Sequence, residues 1–466
     1  MGKTLISLVL ILYTTISFSQ LQLPSFFGDN MVLQQNSMSS IWGKDVPNSR
    51  VLITCSWNKS LATNTDKEGN WNVKIATPQA GGPYTLTIEG SQKIVLKNVL
   101  IGEVWFCSGQ SNMEMPLRGY ANQPITGSKE AIANANNKNI RLFNVARKAS
   151  LTPLNDVSGK WVVTQPQTVK DFSAVSYFFG KTLNDTLNVP IGLICAAWGA
   201  SKIEAWMDEE TILKFKNIKI EKEIPVAKPQ RSPFFIYNGM IHPLQGFTIR
   251  GFIWYQGEGN RPNAKEYASL FPAMINQWRT QWGQGRLPFY FVQIAPFGKE
   301  SKIPVGALLR ESQLKTLQKV PNTGMAVTMD IGDCEMIHPP DKRTVGERLA
   351  YWALAKDYNI EGISYSGPLY KKMTKAKNGK VILYFDYSEN GLSSFGNSLT
   401  GFEVAGFDRV FYPAIAEINN DGTVTVFSKQ VKQPIAVRYG FKNCPEGTLF
   451  NTNGLPASPF RTDNWE

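Results

Sequence analysis

The stretch EVWFCSGQSNMEM, residues 103–115, is an apolar run that halts at Ser-Gly-Gln-Ser-Asn. Polar side chains at the end of a buried strand lose hydration without return unless something there uses them. Four similar runs follow along the chain: PIGLICAAW, RGFIWYQG, PFYFVQIAP and GMAVTMDIG. Helical patterns lie between them. In DFSAVSYFFGKTLNDTL, Phe172, Val175, Phe179 and Leu183 share one face, and over 341–355 Val345, Leu349 and Trp352 form a stripe. Strands apolar throughout and joined by helices predict an α/β domain, a parallel sheet covered on both sides, with ligands beyond the carboxyl ends of the strands.

Outward from this middle the pattern changes. SRVLITCSW, NWNVKIAT and PYTLTIEG before it, and KVILYFDYS, GTVTVFSK and PIAVRYGF after it, read as strands separated by turn residues. The expected organisation is an N-terminal β-rich region over 20–99, a central α/β domain over 100–361 and a C-terminal β-rich region over 362–466, both flanks sandwich-like. Because they flank the central sheet, the two are expected to pack together. Residues 1–19 place Lys3 ahead of LISLVLILY and small residues at Ser17 and Ser19, the order of a secretory signal peptide, so the mature chain is expected to be exported, periplasmic or extracellular. No later run reaches the ~20 apolar residues of a bilayer span, so no stable membrane insertion is expected.

Composition narrows the functional classes. A chain 42% hydrophobic and 18% charged is a folded protein, and a net charge of +12 spread over 466 residues, without basic clusters, argues against nucleic-acid binding. Five cysteines without a Cys-x-x-Cys pair, and two histidines, argue against a metal site; no metal and no cofactor are expected. The odd count leaves at least one cysteine outside any intramolecular disulfide.

The strand ends converge on one rim: Gly109-Gln110-Ser111-Asn112, Gly199-Ala200-Ser201, Gln256-Gly257-Glu258-Gly259-Asn260, Gln293, and Asp330, Asp333, Glu335 and His338. A serine nucleophile needs an imidazole to take its proton. His338, on the loop after the fifth strand with acids upstream, fits better than His242 in YNGMIHPLQG; both histidines could instead merely line loops. Ser111 is the nucleophile expected, over a turn serine and over Ser108, which should remain within the strand. Glu335, three residues before His338, is the expected acid, with Asp333 and Asp330 in reserve. Oxyanion donors are sought in the N–H groups of Ser111 and Gly199 and the side-chain amides of Gln256 or Asn260. Arg310 and Arg343 are weak candidates for a substrate carboxylate.

The blocks GEVWFCSGQSNMEMPL, PIGLICAAWGASKIEAW, YNGMIHPL, GFIWYQGEGN and DIGDCEMIHPPDKRTVGERLA, with LPSFFGDNMVLQQ and GLPASPFRTD near the ends, resemble the sialate O-acetylesterase family of exported SGNH-type serine esterases. The resemblance implies a flavodoxin-like three-layer domain, Ser111 as nucleophile, His338 as base, and Gly199 with the QGExN segment near the oxyanion. It also implies O-acetylated sialic acid as substrate. Three departures stand out: Gly-Ala-Ser for Gly-Gly-Thr at 199–201, Gly259 for a serine, and Met336 where many relatives carry an aspartate two residues before the histidine. An acetyl esterase for plant polysaccharides such as acetylated xylan is the alternative within the class. A non-catalytic carbohydrate-binding protein is the alternative outside it. Oligomeric state is open.

Overall fold

The computed structural model describes residues 20–465, so the signal peptide expected over 1–19 lies outside the described residues. A central sheet holds seven strands: β1 Lys93–Gly109, β2 Asn137–Asn144, β3 Trp161–Thr164, β4 Ile191–Ala197, β5 Gly251–Tyr255, β6 Phe289–Val292 and β7 Thr323–Ala326. Their order is β7-β6-β5-β1-β4-β2-β3. All neighbours are parallel except β2 and β3. The five runs read from the sequence are β1, β4, β5, β6 and β7; β2 and the edge strand β3 are additional.

Four long helices cover the two faces: α1 Ala174–Leu187 and α4 Lys342–Lys356 on one, α2 Ala264–Trp282 and α3 Val305–Lys319 on the other. Alternation along β1 explains why both faces need covering. Trp105 and Cys107 join Val175, Phe179, Leu349 and Trp352 in one core, whereas Phe106 joins Leu270, Trp278 and Leu309 in the other. Helix ends follow local chemistry. The Ser173 hydroxyl accepts from the Ser176 amide to open α1, and Asn188, at φ 53°, closes it in the left-handed region; Asp341 accepts from the Thr344 amide to open α4.

The N-terminal β region is continuous with this sheet. The first half of β1 pairs with strand Gly81–Glu89 and with Val32–Gln34, and the second half with β4 and β5, so the boundary drawn at 99/100 falls inside one strand. At the other end, two four-stranded antiparallel sheets enclose a separate core of Val381, Leu383, Val404, Val426, Val437 and Tyr439. This C-terminal region is bound to α3 by Arg461, whose Nε donates to Glu311 Oε1 at 2.8 Å, and to the loop after β7 by the Cys334–Cys444 disulfide. Cys55, Cys107 and Cys195 are free and buried. The expectation that the two β regions pack together is corrected: Val51, Ile53 and Ile75 of the first share a core with the central domain, the second encloses a core of its own, and among the described residues no strand pairing joins the two.

Candidate active site

β1 lies between β4 and β5, where the strand order reverses, so its carboxyl end opens into the crevice such sheets reserve for ligands. Gly109, at φ 146°, permits this close approach: a Cβ there would lie 2.2 Å from the Tyr255 carbonyl oxygen. The chain then turns into a four-residue helix, Ser111–Glu114, whose first amide, that of Ser111, has no intrahelical acceptor. Ser108 remains in the strand as expected, its hydroxyl donating to the Ala196 carbonyl at 2.6 Å.

Ser111 and His338, 227 positions apart, meet. The serine Oγ–H donates to His338 Nε2 at 2.8 Å. On the far side of the ring, Nδ1–H donates to Gln123 Oε1 at 2.6 Å, which leaves Nε2 as the acceptor for the serine. Tyr120 stands edge-on to the imidazole with centroids 5.5 Å apart. Burial first, and the Lys342 cation second, push the His338 ring down to about 4.

The acid assignment is corrected. Glu335 does not bond His338: Asp333 Oδ1 accepts from the amides of Glu335 and Met336 at 2.8 and 3.2 Å, and this turn leaves Glu335 exposed. Asp330 is held in a bidentate pair by Arg348, at 2.7 and 2.6 Å. A neutral amide from the segment after Ser111 takes the place expected for a carboxylate.

The oxyanion candidates divide. Gly199 stands against the serine, since a Cβ there would lie 3.3 Å from Ser111 Cβ, but its N–H donates to Glu114 Oε2 at 2.8 Å. Gln256 and Asn260 are corrected: both are buried with their amides engaged within the loops. Gln256 Nε2 donates to Asn260 Oδ1 at 2.8 Å and to the Ser201 carbonyl, while its Oε1 accepts from the Tyr267 hydroxyl. Asn260 Oδ1 also accepts from the Ile203 amide, and its Nδ2 donates to Glu204. These two residues brace the loops after β4 and β5. Gln293 likewise donates to the Arg310 carbonyl and Ser458. His242 lies elsewhere, its Nδ1 on the Leu154 carbonyl. Arg310 is buried against the backbone carbonyls of Ala295, Lys442 and Asn443, and Arg343 lies over the Phe178 ring.

Sequence reasoning missed Gln123, Glu114 and Arg147. Arg147 Nε donates to Glu114 Oε1 at 2.6 Å and its guanidinium lies 5.9 Å from the Trp198 ring, which places a cation and an aromatic beside the serine. Glu114 is three residues after Ser111, one helical turn on, a spacing that marks it as a neighbour. Gln123 has no such signal.

The departures from the family pattern have physical readings. Ala200, where the resemblance implies a second glycine, sits at φ 60°. Gly259 approaches the loop after β4 so closely that a Cβ would lie 2.3 Å from the Ser201 carbonyl oxygen, leaving no room for a serine without a shift.

A helix-covered sheet with these residues at its strand ends places the chain among the carbohydrate esterases. The crystal structure of a carbohydrate acetylesterase from Xanthomonas citri superposes with a TM-score of 0.88 at 39% identity, covering 96% of this chain and 100% of that one. Sialate O-acetylesterase from Mus musculus is 30% identical, over 94% of this chain and 93% of its own, and that from Homo sapiens 29% identical, over 94% and 91%. The family described as carbohydrate esterase, sialic acid-specific acetylesterase, matches residues 101–355, and the chain belongs to it. It is an esterase.

Proposed function

We propose that this protein removes O-acetyl groups from sialic acids by two-step acyl transfer, in a flavodoxin-like SGNH domain built on the central sheet and the helices that cover it. The observation that carries the mechanism is the 2.8 Å contact between Ser111 Oγ and His338 Nε2. His338 takes the hydroxyl proton as Oγ attacks the acetyl carbonyl carbon. The tetrahedral oxyanion is received by the Ser111 N–H and by the Gly199 N–H, which Glu114 must yield. The imidazolium then protonates the departing sugar oxygen, the C–O bond breaks and acetyl-Ser111 remains. Water, deprotonated by the same ring, attacks the acyl carbon; acetate leaves and the proton returns to Ser111. Gln123 holds the ring in the tautomer both steps require.

The sugar is read from the relatives' names and from Arg147 beside the site, a cation suited to a sialate carboxylate. A second reading, a neutral polysaccharide acetyl ester, is favoured by two observations: Arg147 is already paired with Glu114, and the Xanthomonas citri carbohydrate acetylesterase is the more identical relative, at 39% against 30% for the mouse enzyme. Export is supported by the order of residues 1–19 and by the Cys334–Cys444 disulfide, a bond that persists in oxidising compartments. Among the described residues no helix is long and apolar enough to cross a membrane.

Acetate release from O-acetylated sialic acid and from acetylated xylan separates the two substrates, and Ser111→Ala tests the nucleophile. Turnover should be abolished in that variant on either ester. Wild-type rates would remove Ser111 from the role.

A further inference from the structure

Behind the serine turn lies a group of buried ionisable side chains that the acyl-transfer steps do not use. Asn112 follows Ser111 and is fully buried. Its Oδ1 accepts from Lys342 Nζ at 2.6 Å, and its Nδ2 donates to Glu258 Oε1 at 2.6 Å and to the Ile337 carbonyl at 3.0 Å. An ammonium only donates and a carboxylate accepts, so this is the one amide orientation that serves both. Glu258 Oε2 is buried without a partner among the described residues. Lys342 opens α4, is 1% exposed, and points its ammonium at the Tyr255 ring, 5.6 Å from the centroid.

Interior charges of this kind are poor stabilisers, and apolar side chains of similar volume pack as well or better. What the arrangement does supply is geometry. One amide joins the residue after Ser111, the residue before His338 and the first residue of α4, and it sets a cation behind the imidazole.

We propose that Asn112, Lys342 and Glu258 form a positioning unit that ties the histidine loop to the serine turn and keeps His338 uncharged and ready to accept the serine proton. Lys342 disfavours the imidazolium, and Glu258 keeps Lys342 charged. Burial pushes Lys342 down to about 7, opposed by Glu258 and then Asp341; burial raises Glu258 from its ordinary value, opposed by the hydrogen bond from Asn112 and by the Lys342 and Arg261 cations. The other groups around His338 are accounted for. Gln123 is neutral, and Glu114 is paired with Arg147 beyond Tyr120. Asp333 caps its own loop and Glu335 is exposed. Arg261, beside Glu258, has its guanidinium over the Phe297 ring. This inference rests on the esterase reading above.

The test is the pH dependence of kcat/KM on an aryl acetate for the wild type, Lys342→Met and Lys342→Arg, with the histidine Cε1 resonances followed by NMR; two histidines make the spectrum simple to assign. In Lys342→Met the acid limb should move up by about one pH unit, with kcat about tenfold lower and KM little changed. In Lys342→Arg the limb should stay near its wild-type position. A Lys342→Met enzyme that is slower with its limb unmoved would show Lys342 to be purely structural and overturn the proposal. Should Lys342→Met not fold, the wild type decides. Its His338 resonance should show a second inflection above the imidazole's own, where Lys342 ionises, and that inflection should be absent in Lys342→Arg. A wild-type curve without it overturns the proposal. Full turnover in Ser111→Ala would sink the esterase mechanism instead, while the NMR titration would still report on Lys342.

Discussion

Replacing Gln123 by glutamate puts a carboxylate where a neutral amide now accepts from His338 Nδ1 at 2.6 Å. The ring keeps its tautomer, because a carboxylate oxygen accepts in the same place. What changes is the energy of the imidazolium that forms as Ser111 attacks. An opposite charge in contact raises an imidazole by about 1–3 pH units, and the half-buried position of Gln123 puts the shift in the lower part of that range, ~1–2 units. At 1.36 kcal/mol per unit this amounts to ~1.4–2.7 kcal/mol in favour of the charged ring. His338 is the proton acceptor only above its own pKa, now about 4, so the acid limb of kcat/KM should rise to about 5–6. If half of that energy is realised in the transition state, the plateau rate gains about three- to tenfold. Initial rates on an aryl acetate between pH 4 and 9 measure both. A limb that stays in place, or moves down, would mean that Gln123 does not face the ring in the working enzyme.

Three further outcomes are expected. Glu114→Gln removes a negative charge beside the serine; kcat/KM on O-acetylated sialic acid, relative to a neutral aryl acetate, should rise about two- to fivefold, and an unchanged ratio would place the sugar carboxylate elsewhere. The Cys334–Cys444 bond closes 110 positions of chain and holds the His338 loop to the C-terminal region, so Cys334→Ser with Cys444→Ser should cost about 2–5 kcal/mol of stability and lower kcat, read by thermal unfolding and steady-state rates. Ala200→Gly relieves a left-handed alanine; set against the extra chain entropy of glycine, the net gain should be about 0.5–1 kcal/mol in denaturant unfolding, and a loss would mean that the methyl group packs usefully.

The sequence made the five buried strands, the two amphipathic helices and the Ser111–His338 pair legible because each rests on a strong local signal: a continuous apolar run, a 3.6-residue period, or the scarcity of histidine. β2 was not legible, since only four of its residues are buried and its flanks are polar. The acid was misread for a different reason. Offset from His338 in sequence singles out Glu335, but the Asp333 cap on the intervening amides turns that side chain outward, and no local pattern connects Gln123 to a ring 215 positions away. Gln256 and Asn260 looked like free donors because sequence shows that an amide is present but not that its hydrogen bonds are already taken.

The missing carboxylate and the buried Lys342 act in the same direction. A carboxylate on Nδ1 would favour the imidazolium, whereas an amide does not, and a cation behind the ring disfavours it further. The base is therefore weak, which slows proton abstraction at neutral pH, but it stays unprotonated in acid where an ordinary imidazole of pKa ~6.5 would be charged. Proton return to the leaving sugar oxygen benefits from the same bias, because a more acidic imidazolium is the better donor. For an ester whose alcohol is a poorly leaving sugar hydroxyl, that exchange is favourable: what attack loses in basicity, expulsion recovers in acidity. The argument requires leaving-group departure to weigh heavily in the rate. Wild-type kcat/KM should then depend less on the acidity of the leaving alcohol, across a series of acetate esters, than that of Gln123→Glu. A steeper wild-type dependence would show that the amide is tolerated at this position without being used.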